Sequence, residues 1–312
     1  MSDFYTKKTG RFKSSNGISK ISYYIYEPKT TPVATVQIVH GMSEFIERYE
    51  EFAEFLCKNS VAVFGNDHIG HGNSVESYDD LGHFFTPNGW RDMISDAHTM
   101  SKIGAKLFPN IPHIIFGHSM GSFVTKGCMI KFPSEIDCVI LSGTGESIPF
   151  ATASLALIES LIKIRGGRER SELIYGLAFG KFNSHIDSPR TQSDWLTRDC
   201  EKIKEYVSDL RCVTMFTLNG FDNLAKLMNY VNSDKWYEKV SKTLPILMMS
   251  GEEDPVGGWG EGVRSVYEKL LENGCNVALK MYDGCRHELV NELNRHEVYS
   301  DVLTAIKKTL EI

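Results

Sequence analysis

The chain has 312 residues, which exceeds a typical single domain, yet folds that alternate strands with helices often reach this length as one core with an insertion. Hydrophobic residues make up 42% of the sequence and charged residues 24%, so the composition is that of a globular protein with a sizeable core and not that of a disordered chain. The formal net charge of −6, with lysines and arginines scattered along the chain, argues against nucleic acid as a partner.

Several further classes of protein are disfavoured by what the sequence lacks. The N-terminal residues have no apolar signal-peptide core, and no stretch approaches the roughly 18 apolar residues of a membrane span. The seven cysteines are odd in number and widely spaced, so neither a disulfide framework nor a zinc site is indicated. Asp67, His68 and His71 also match no zinc spacing. We therefore predict an unprocessed cytoplasmic protein with reduced thiols and no metal.

The N-terminal half alternates predicted strands with predicted helices. Apolar or β-branched runs predict strands at Ile18–Tyr26, Val33–Val39, Val61–Phe64, His113–Phe116 and Cys138–Leu141. Apolar residues at three- and four-residue steps predict helices at Glu44–Lys58, Trp90–Phe108 and Phe123–Met129. Such alternation is typical of a parallel sheet with helices on both faces.

The alternation breaks in the second half of the chain. From about Glu146 to Lys239 the sequence shows helical periods and loops but no convincing strand. Strands resume at Leu244–Ser250 and Asn276–Tyr282, and a closing helix is predicted at Asn294–Leu310. We therefore predict a core built from residues 1–145 and 240–312, with a helical cap at 146–239.

A Gly-x-Ser-x-Gly motif with Ser119 at its centre lies between a predicted strand and a predicted helix. This context is typical of a nucleophile elbow, a sharp turn that holds a serine hydroxyl out of the sheet. The turn aims the Met120 N–H and the positive end of a helix dipole at the reacting atom. A second oxyanion donor is expected from the loop after the Val33–Val39 strand, where the Met42 N–H is suitably placed. The alternative is a buried serine in an ordinary turn.

A nucleophilic serine needs a base, and the base needs a third group to orient it. In this type of fold both follow the serine on loops after later strands, first the acid and then the histidine. The loop after the penultimate strand supplies Asp254, with Glu252 and Glu253 as competitors, and Pro255 favours Asp254 because it fixes the loop directly after it. Of the ten histidines, His287 is the one on the loop after the last strand. We predict Ser119, Asp254 and His287 as a catalytic triad.

The chain resembles the monoacylglycerol lipase and lysophospholipase-like branch of the α/β-hydrolases, particularly its bacterial members. The resemblance runs from about residue 15 to the C-terminus, and its motifs fall in the family's order. They are the segments 40–49, 66–74, 117–121, 250–257 and 286–292.

The resemblance implies an α/β-hydrolase fold with a mostly parallel central sheet, helices on both faces and a helical cap inserted after the sixth strand. It also implies Ser119, Asp254 and His287 as the triad and the Met42 and Met120 N–H groups as oxyanion donors. The implied reaction is hydrolysis of glycerol or lysophospholipid esters without a metal or organic cofactor. At the last small residue of the elbow the family commonly has glycine, whereas this chain has Ser122. The cap is the part of the chain that matches the family least.

The predicted cap offers candidates for the substrate pocket, namely Phe150, Leu157 and Trp195. A helix at Phe150–Ile164 is apolar around most of its circumference, which suits either an acyl pocket or lipid contact, or else a helix clamped between core and cap. The basic loop Arg165–Arg168 suits transient contact with an anionic membrane surface or a solvated turn. Further aromatic residues are divided between core and pocket in a way that the sequence leaves open: Phe179, Phe182, Trp195, Phe216 and Phe221.

These features predict a serine carboxylic-ester hydrolase that cleaves monoacyl lipids or similar medium-sized esters through an acyl-enzyme. Three alternatives share the same residues. An amidase or proline-type serine peptidase would need a carboxylate cluster on the cap to bind a free amine. A triad-bearing ligand-binding protein would show little turnover, and an acyltransferase would pass the acyl group to an alcohol instead of water.

Overall fold

The computed structural model describes residues 2–146 and 149–310, and the side chains of all of these except 149–153. The strands of the described chain are β1 (Tyr5–Lys13), β2 (Lys20–Pro28), β3 (Ala34–Val39), β4 (Val61–Asn66), β5 (His113–His118), β6 (Cys138–Ser142), β7 (Ile246–Gly251) and β8 (Val277–Tyr282). They form one sheet in the order β1-β2-β4-β3-β5-β6-β7-β8.

The sheet is mostly parallel. β1 pairs antiparallel with β2, and β2 pairs antiparallel with β4. All the other neighbouring strands of the sheet run parallel. The loops that follow β3, β5, β7 and β8 therefore leave the sheet at the same edge, which is where ligands bind in open sheets of this type.

Helices cover both faces of the sheet. They are α1 (Glu50–Lys58), α2 (Gly89–Leu107), α3 (Met120–Lys131), α4 (Pro149–Arg165), α5 (Glu172–Phe179), α6 (Cys200–Ser208), α7 (Leu210–Val213), α8 (Leu218–Val231), α9 (Asp234–Lys239), α10 (Glu261–Glu272) and α11 (Arg295–Leu310). Successive side chains of β5 point to opposite faces. Ile114 and Phe116 join the apolar cluster that includes residues of α1 and α11, whereas Ile115 joins the cluster that includes residues of α2 and α3.

The predicted α/β-hydrolase architecture is confirmed. Helices α4 to α9 lie between the sixth and seventh strands, as expected for a cap inserted after the sixth strand. The insertion packs on the core partly through α8, where Leu218, Phe221 and Leu227 are buried. The exact boundaries of core and cap remain a prediction.

Two elements were not predicted from the sequence. β1 is an edge strand that exposes Thr6, Lys8, Thr9, Arg11 and Lys13, so it lacks the apolar run of a central strand. α10 carries its buried face on Val263, Val266 and Leu270, at helical spacing that was overlooked after a glycine-rich loop. The predicted helix at Glu44–Lys58 begins as a 3-10 turn at Ile46–Tyr49 and becomes α-helical at Glu50.

Lys126 of α3 is a fully buried lysine where the insertion meets the core. Its Nζ donates to Asn232 Oδ1 at 3.0 Å and to the Gly145 carbonyl at 3.4 Å. Trp236 Nε1 donates to the Lys126 carbonyl oxygen at 2.8 Å. Burial disfavours the ammonium form and lowers the pKa of Lys126 from 10.5 to about 7.

Replacing Lys126 with methionine is expected to remove a pH dependence of stability. The unfolded chain binds the lysine proton more tightly, so the burial penalty is fully present below pH 7 and is relieved as the pH rises toward 10.5. Over that interval the unfolding free energy of the wild type should rise relative to that of Lys126→Met by up to about 1.4 kcal/mol per pH unit. Urea unfolding at several pH values measures this. Lys102→Met, at an exposed position on α2, is the control, and equal pH slopes in wild type and Lys126→Met would contradict the expectation.

Candidate active site

Ser119 occupies the turn between β5 and α3 in a strained backbone conformation. Its φ is 52°, a value that few residues other than glycine adopt, and such strain is concentrated at functional sites. Gly121 shows why the turn needs a small residue, because a Cβ there would collide with the carbonyl oxygen of Val39 at the end of β3. The predicted elbow geometry is therefore present, with the serine at its apex.

The two predicted oxyanion donors belong to segments next to Ser119. Met120 is the first residue of α3, so its N–H has no acceptor within the helix. Gly41, at the start of the loop after β3, lies so close that a Cβ there would be 2.9 Å from the Ser119 Cβ. His40 Nδ1 lies 2.8 Å from the Gly41 carbonyl oxygen, which fixes the peptide that carries the Met42 N–H. Met120 thus begins the helix directly after the serine, and Met42 follows a glycine that lies against it.

Asp254 and His287 form a buried pair. His287 Nδ1 lies 2.9 Å from Asp254 Oδ1 and 3.0 Å from Oδ2. Glu252 and Glu253, the competing acids, are exposed, and Glu253 lies 3.6 Å from the Arg286 side chain. Among the three acids of this loop, the structure therefore brings Asp254 to the histidine.

Asp254 sets both the pKa and the orientation of the His287 imidazole. Burial alone would lower the pKa of His287, but the charge of Asp254 and its hydrogen bond outweigh burial and raise that pKa. Because Nδ1 faces Asp254, Nε2 is the ring nitrogen that does not contact this carboxylate. Ser119 and His287 line the same cavity, and catalytic hydrogen bonds often tighten only when substrate is bound.

The cavity above Ser119 has a volume of about 320 Å³ and is mostly apolar. From the core, its lining includes Met42, Met120 and His287. Its apolar wall is formed largely by the insertion: Tyr175, Ala178, Phe179, Phe182, Trp195, Val213, Met215, Phe221, Leu224, Ala225 and Met228. A cavity with this lining suits a hydrocarbon chain attached to the reacting carbonyl.

A polar corner of the same cavity is built around Arg48. Its guanidinium donates to Glu288 through two nitrogens at 2.7 and 2.8 Å, donates to Glu44 at 3.2 Å, and stacks over the Tyr206 ring at 4.8 Å. Burial and the neighbouring Glu288 raise the pKa of Glu44. Burial opposes ionisation of Glu288, but Arg48 outweighs it and lowers the pKa of that carboxyl. Glu44, Glu288 and Tyr206 line the cavity, whereas Arg48 lies behind them.

Comparison with known proteins identifies the family. A model of the Hydrolase_4 family, described as "Serine aminopeptidase, S33", matches residues 30–294. The chain belongs to this family.

Known relatives align with almost the whole length of this hydrolase. It is 25% identical over 304 residues to the monoacylglycerol lipase of Mycolicibacterium smegmatis, an alignment that covers 96% of this chain and 97% of that one. The structure of a carboxyl esterase from Bacillus coagulans in complex with glycerol superposes with a TM-score of 0.92 at 29% identity, covering 98% of this chain and 99% of that one. An open-form lipase gives a TM-score of 0.89 at 27% identity, covering 98% and 100%. The chain is an ester hydrolase of the monoacylglycerol-lipase-like α/β-hydrolases, as the sequence predicted.

The structure separates the predicted pocket residues of the hydrolase. Trp195 lines the cavity, and its ring centroid lies 5.0 Å from that of His287. The side chain of Phe150 lies outside the described residues. Leu157 is 38% exposed on α4 and is not among the described residues that line the cavity. Of the aromatic residues that the sequence left unsorted, Phe179, Phe182 and Phe221 also line the cavity, and Phe216 lies in the core.

The polar corner was not predicted from the sequence. Glu44 and Arg48 lie in the first motif of the resemblance and Glu288 in the last, so a signal existed in the acidic and basic residues that these motifs share. Their contact could not be predicted, because Arg48 and Glu288 are 240 residues apart in the chain.

The histidines near the oxyanion loop form a compact buried cluster. The ring centroids of His40 and His68 are 4.3 Å apart, and those of His40 and His71 are 5.3 Å apart. Burial lowers the pKa of His68 to about 3 and that of His71 to about 4.

Across residues 2–146 and 149–310, no group of three or more His, Cys, Asp or Glu side chains is arranged to hold a metal ion. In the same residues, no helix is long and apolar enough to cross a membrane.

Proposed function

We propose that this hydrolase cleaves esters that join one acyl chain to an uncharged polyol, as in monoacylglycerols, with Ser119, Asp254 and His287 as its triad. His287 removes the Ser119 proton while the hydroxyl attacks the ester carbonyl, and Asp254 orients the imidazole and stabilises its cation. The Met42 and Met120 N–H groups bind the oxyanion. Water then cleaves the acyl-enzyme with the same base.

One observation supports this proposal: a single cavity has two chemically different walls. The insertion supplies an apolar wall for an acyl chain, and the corner at Glu44, Glu288 and Tyr206 supplies hydrogen-bonding groups for hydroxyls. Among the described residues that line the cavity there is no lysine or arginine, and Arg48 is already engaged by both carboxylates. A phosphate head group would meet negative charge without a free cation, so a neutral head group fits better.

A matched substrate panel tests the head group. We expect kcat/KM for a monoacylglycerol to exceed that for a lysophosphatidic acid of the same chain length by at least about tenfold, which corresponds to about 1.4 kcal/mol of transition-state binding. Both substrates are measured below their critical micelle concentrations, and a short p-nitrophenyl ester reports the intrinsic competence of the triad. Equal or faster cleavage of the anionic lipid would contradict a neutral head-group site.

The second candidate is hydrolysis of amides with a free amine, which the family description and the two cavity carboxylates favour. A peptidase of this fold would be expected to present carboxylates from its cap. The described cavity residues of the insertion include no Asp or Glu, and Glu44 and Glu288 are already paired with Arg48. Aminoacyl naphthylamides distinguish the candidates, because faster turnover of these amides than of monoacylglycerols would favour the peptidase.

We further propose that the mouth of the cavity contacts the surface of aggregated lipid. Leu173 and Leu177 are more than half exposed on α5, the helix that also contributes Tyr175 and Ala178 to the cavity. A Leu173→Glu/Leu177→Glu variant should lose several-fold activity on micellar monoacylglycerol while keeping its rate on a soluble ester. An equal loss on both substrates would indicate damage to the pocket instead. Electrostatic attraction is not central to this proposal, since Arg168 is paired with Asp80.

We also propose the cytoplasm as the compartment of this hydrolase. All seven cysteines are free thiols, and six of them are buried, as suits a reducing environment. Detection of the protein in the cytoplasmic fraction of cells that express it naturally is the direct test.

A further inference from the structure

A short segment of the insertion runs along the loop that carries His287. We call residues 194–198 the strap and residues 285–292 the histidine loop. Three of the hydrogen bonds between them use the backbone of the histidine loop: Glu288 N–H to the Leu196 carbonyl at 2.6 Å, His287 N–H to the Trp195 carbonyl at 3.5 Å, and the Thr197 hydroxyl to the Asn291 carbonyl at 2.9 Å. The strap thus contacts the backbone of His287 itself.

Glu292 is the centre of this contact. Its side chain is fully buried and accepts four hydrogen bonds. Two come from Arg198, from its backbone N–H at 3.1 Å and its Nε at 2.8 Å. The others come from the backbone N–H groups of Arg286 at 3.0 Å and Leu293 at 3.0 Å. One carboxylate therefore ties the strap to the residue directly before His287.

The side chain of Arg286 closes the contact from the other direction. Its guanidinium donates to the carbonyl oxygens of Asp194 at 2.8 Å and Thr197 at 3.3 Å. These bonds hold the turn that presents Trp195, whose ring lies beside the imidazole of His287. The backbone and the ring of the histidine are thus both supported by the strap.

We propose that Glu292 and Arg198 are positioning residues that hold His287 against Asp254. This inference rests on the proposed role of His287 as the base. The strap belongs to the insertion in sequence, but it acts as part of the catalytic scaffold. Neither residue is among the described residues that line the cavity, and both act through the backbone on either side of the imidazole.

If these residues position His287, replacing Glu292 should slow the chemical step without weakening substrate binding. Glu292→Gln keeps the shape of the side chain but replaces a carboxylate that accepts four hydrogen bonds with an amide. The amide NH2 group then faces N–H donors, with which it cannot form hydrogen bonds. If the histidine loop shifts, His287 loses its alignment with Asp254, and misplacement on the scale of 1 Å costs on the order of 100-fold in rate. Loss of the Asp254 contact also removes the interaction that raises the pKa of His287.

The test is the kinetics of Glu292→Gln on a short soluble ester. We expect kcat to fall on the order of 10- to 100-fold with KM changed less than about twofold, and the acidic limb of the kcat/KM profile to move to lower pH. Asp80→Asn is the matched control. Asp80 Oδ1 pairs with Arg168 at 2.9 Å, a contact that also joins the insertion to the core but involves no residue of the histidine loop. This variant should keep wild-type kinetics and pH profile.

The outcomes separate positioning from general stability. A lower melting temperature of Glu292→Gln with unchanged kcat and pH profile would overturn the proposal. If Glu292→Gln does not fold, Arg198→Lys replaces it, since this variant keeps the positive charge but loses the Nε donor, and the same kinetic result is expected. Ser119→Ala is measured in parallel. Activity retained by Ser119→Ala would refute the triad, whereas an inactive Ser119→Ala with a fully active Glu292→Gln refutes the positioning role alone.

Discussion

Replacing Ser119 with alanine is expected to reduce ester hydrolysis by on the order of 10⁴-fold or more. In the proposed mechanism the Ser119 hydroxyl forms the acyl-enzyme, and the remaining oxyanion donors cannot replace a nucleophile. The initial rate with p-nitrophenyl butyrate measures the loss. Labelling with a fluorophosphonate provides a second readout, because it requires the same activated hydroxyl.

Ser122→Ala is the matched control for Ser119→Ala. It removes a neighbouring hydroxyl of the same elbow, which donates to the Ser119 carbonyl at 2.6 Å, and should keep turnover within about tenfold of the wild type. Circular dichroism and thermal unfolding check that both variants fold. Retained turnover in Ser119→Ala would refute the nucleophile assignment, and a native protein that resists fluorophosphonate would favour the ligand-binding alternative.

Replacing Asp254 with asparagine is expected to lower kcat by on the order of 10⁴-fold, as in comparable triads. The amide keeps the size of the carboxylate, but it neither enforces the tautomer with a proton on Nδ1 nor stabilises the imidazolium that forms during attack. Glu252→Gln and Glu253→Gln are the controls from the same loop. A large loss in either of these variants, with an active Asp254→Asn, would show that the acid was assigned to the wrong residue.

The protonation state of His287 should also make the activity depend on pH. The base must be neutral to accept the Ser119 proton, so activity falls as the pH drops through the pKa of His287. Because Asp254 raises this pKa, the wild type should lose activity at a higher pH than an isolated histidine would. In Asp254→Asn the contribution of the charge is lost, and the acidic limb of the residual kcat/KM profile should move to lower pH. An unchanged limb would indicate that another group controls it.

The fold was largely predictable because its central strands are buried on both faces. β3, β4 and β6 are apolar runs without exposed residues, and this pattern is read directly from the sequence. β1 lies at the edge and carries polar residues, so its pattern is weak. The elbow was predictable for a different reason, since strand, motif and helix are contiguous in the chain.

The pocket was harder to predict than the triad. A helix such as α4 is apolar on several sides, and sequence periodicity does not reveal which side meets the cavity. Leu157 and Trp195 were therefore equivalent candidates, and only the packing of the insertion separates them. The polar corner depends on residues from both ends of the chain, whose contact follows from the folding of the whole sheet.

The strap sets a practical limit on exchanging parts between relatives. A chimaera that receives a foreign insertion also receives a foreign partner for the loop at 285–292, because hydrogen bonds join residues 194–198 to that loop. Grafting both segments together keeps these bonds within one parent. An attempt to retune chain-length preference by transplanting helices should therefore move the two segments as a unit.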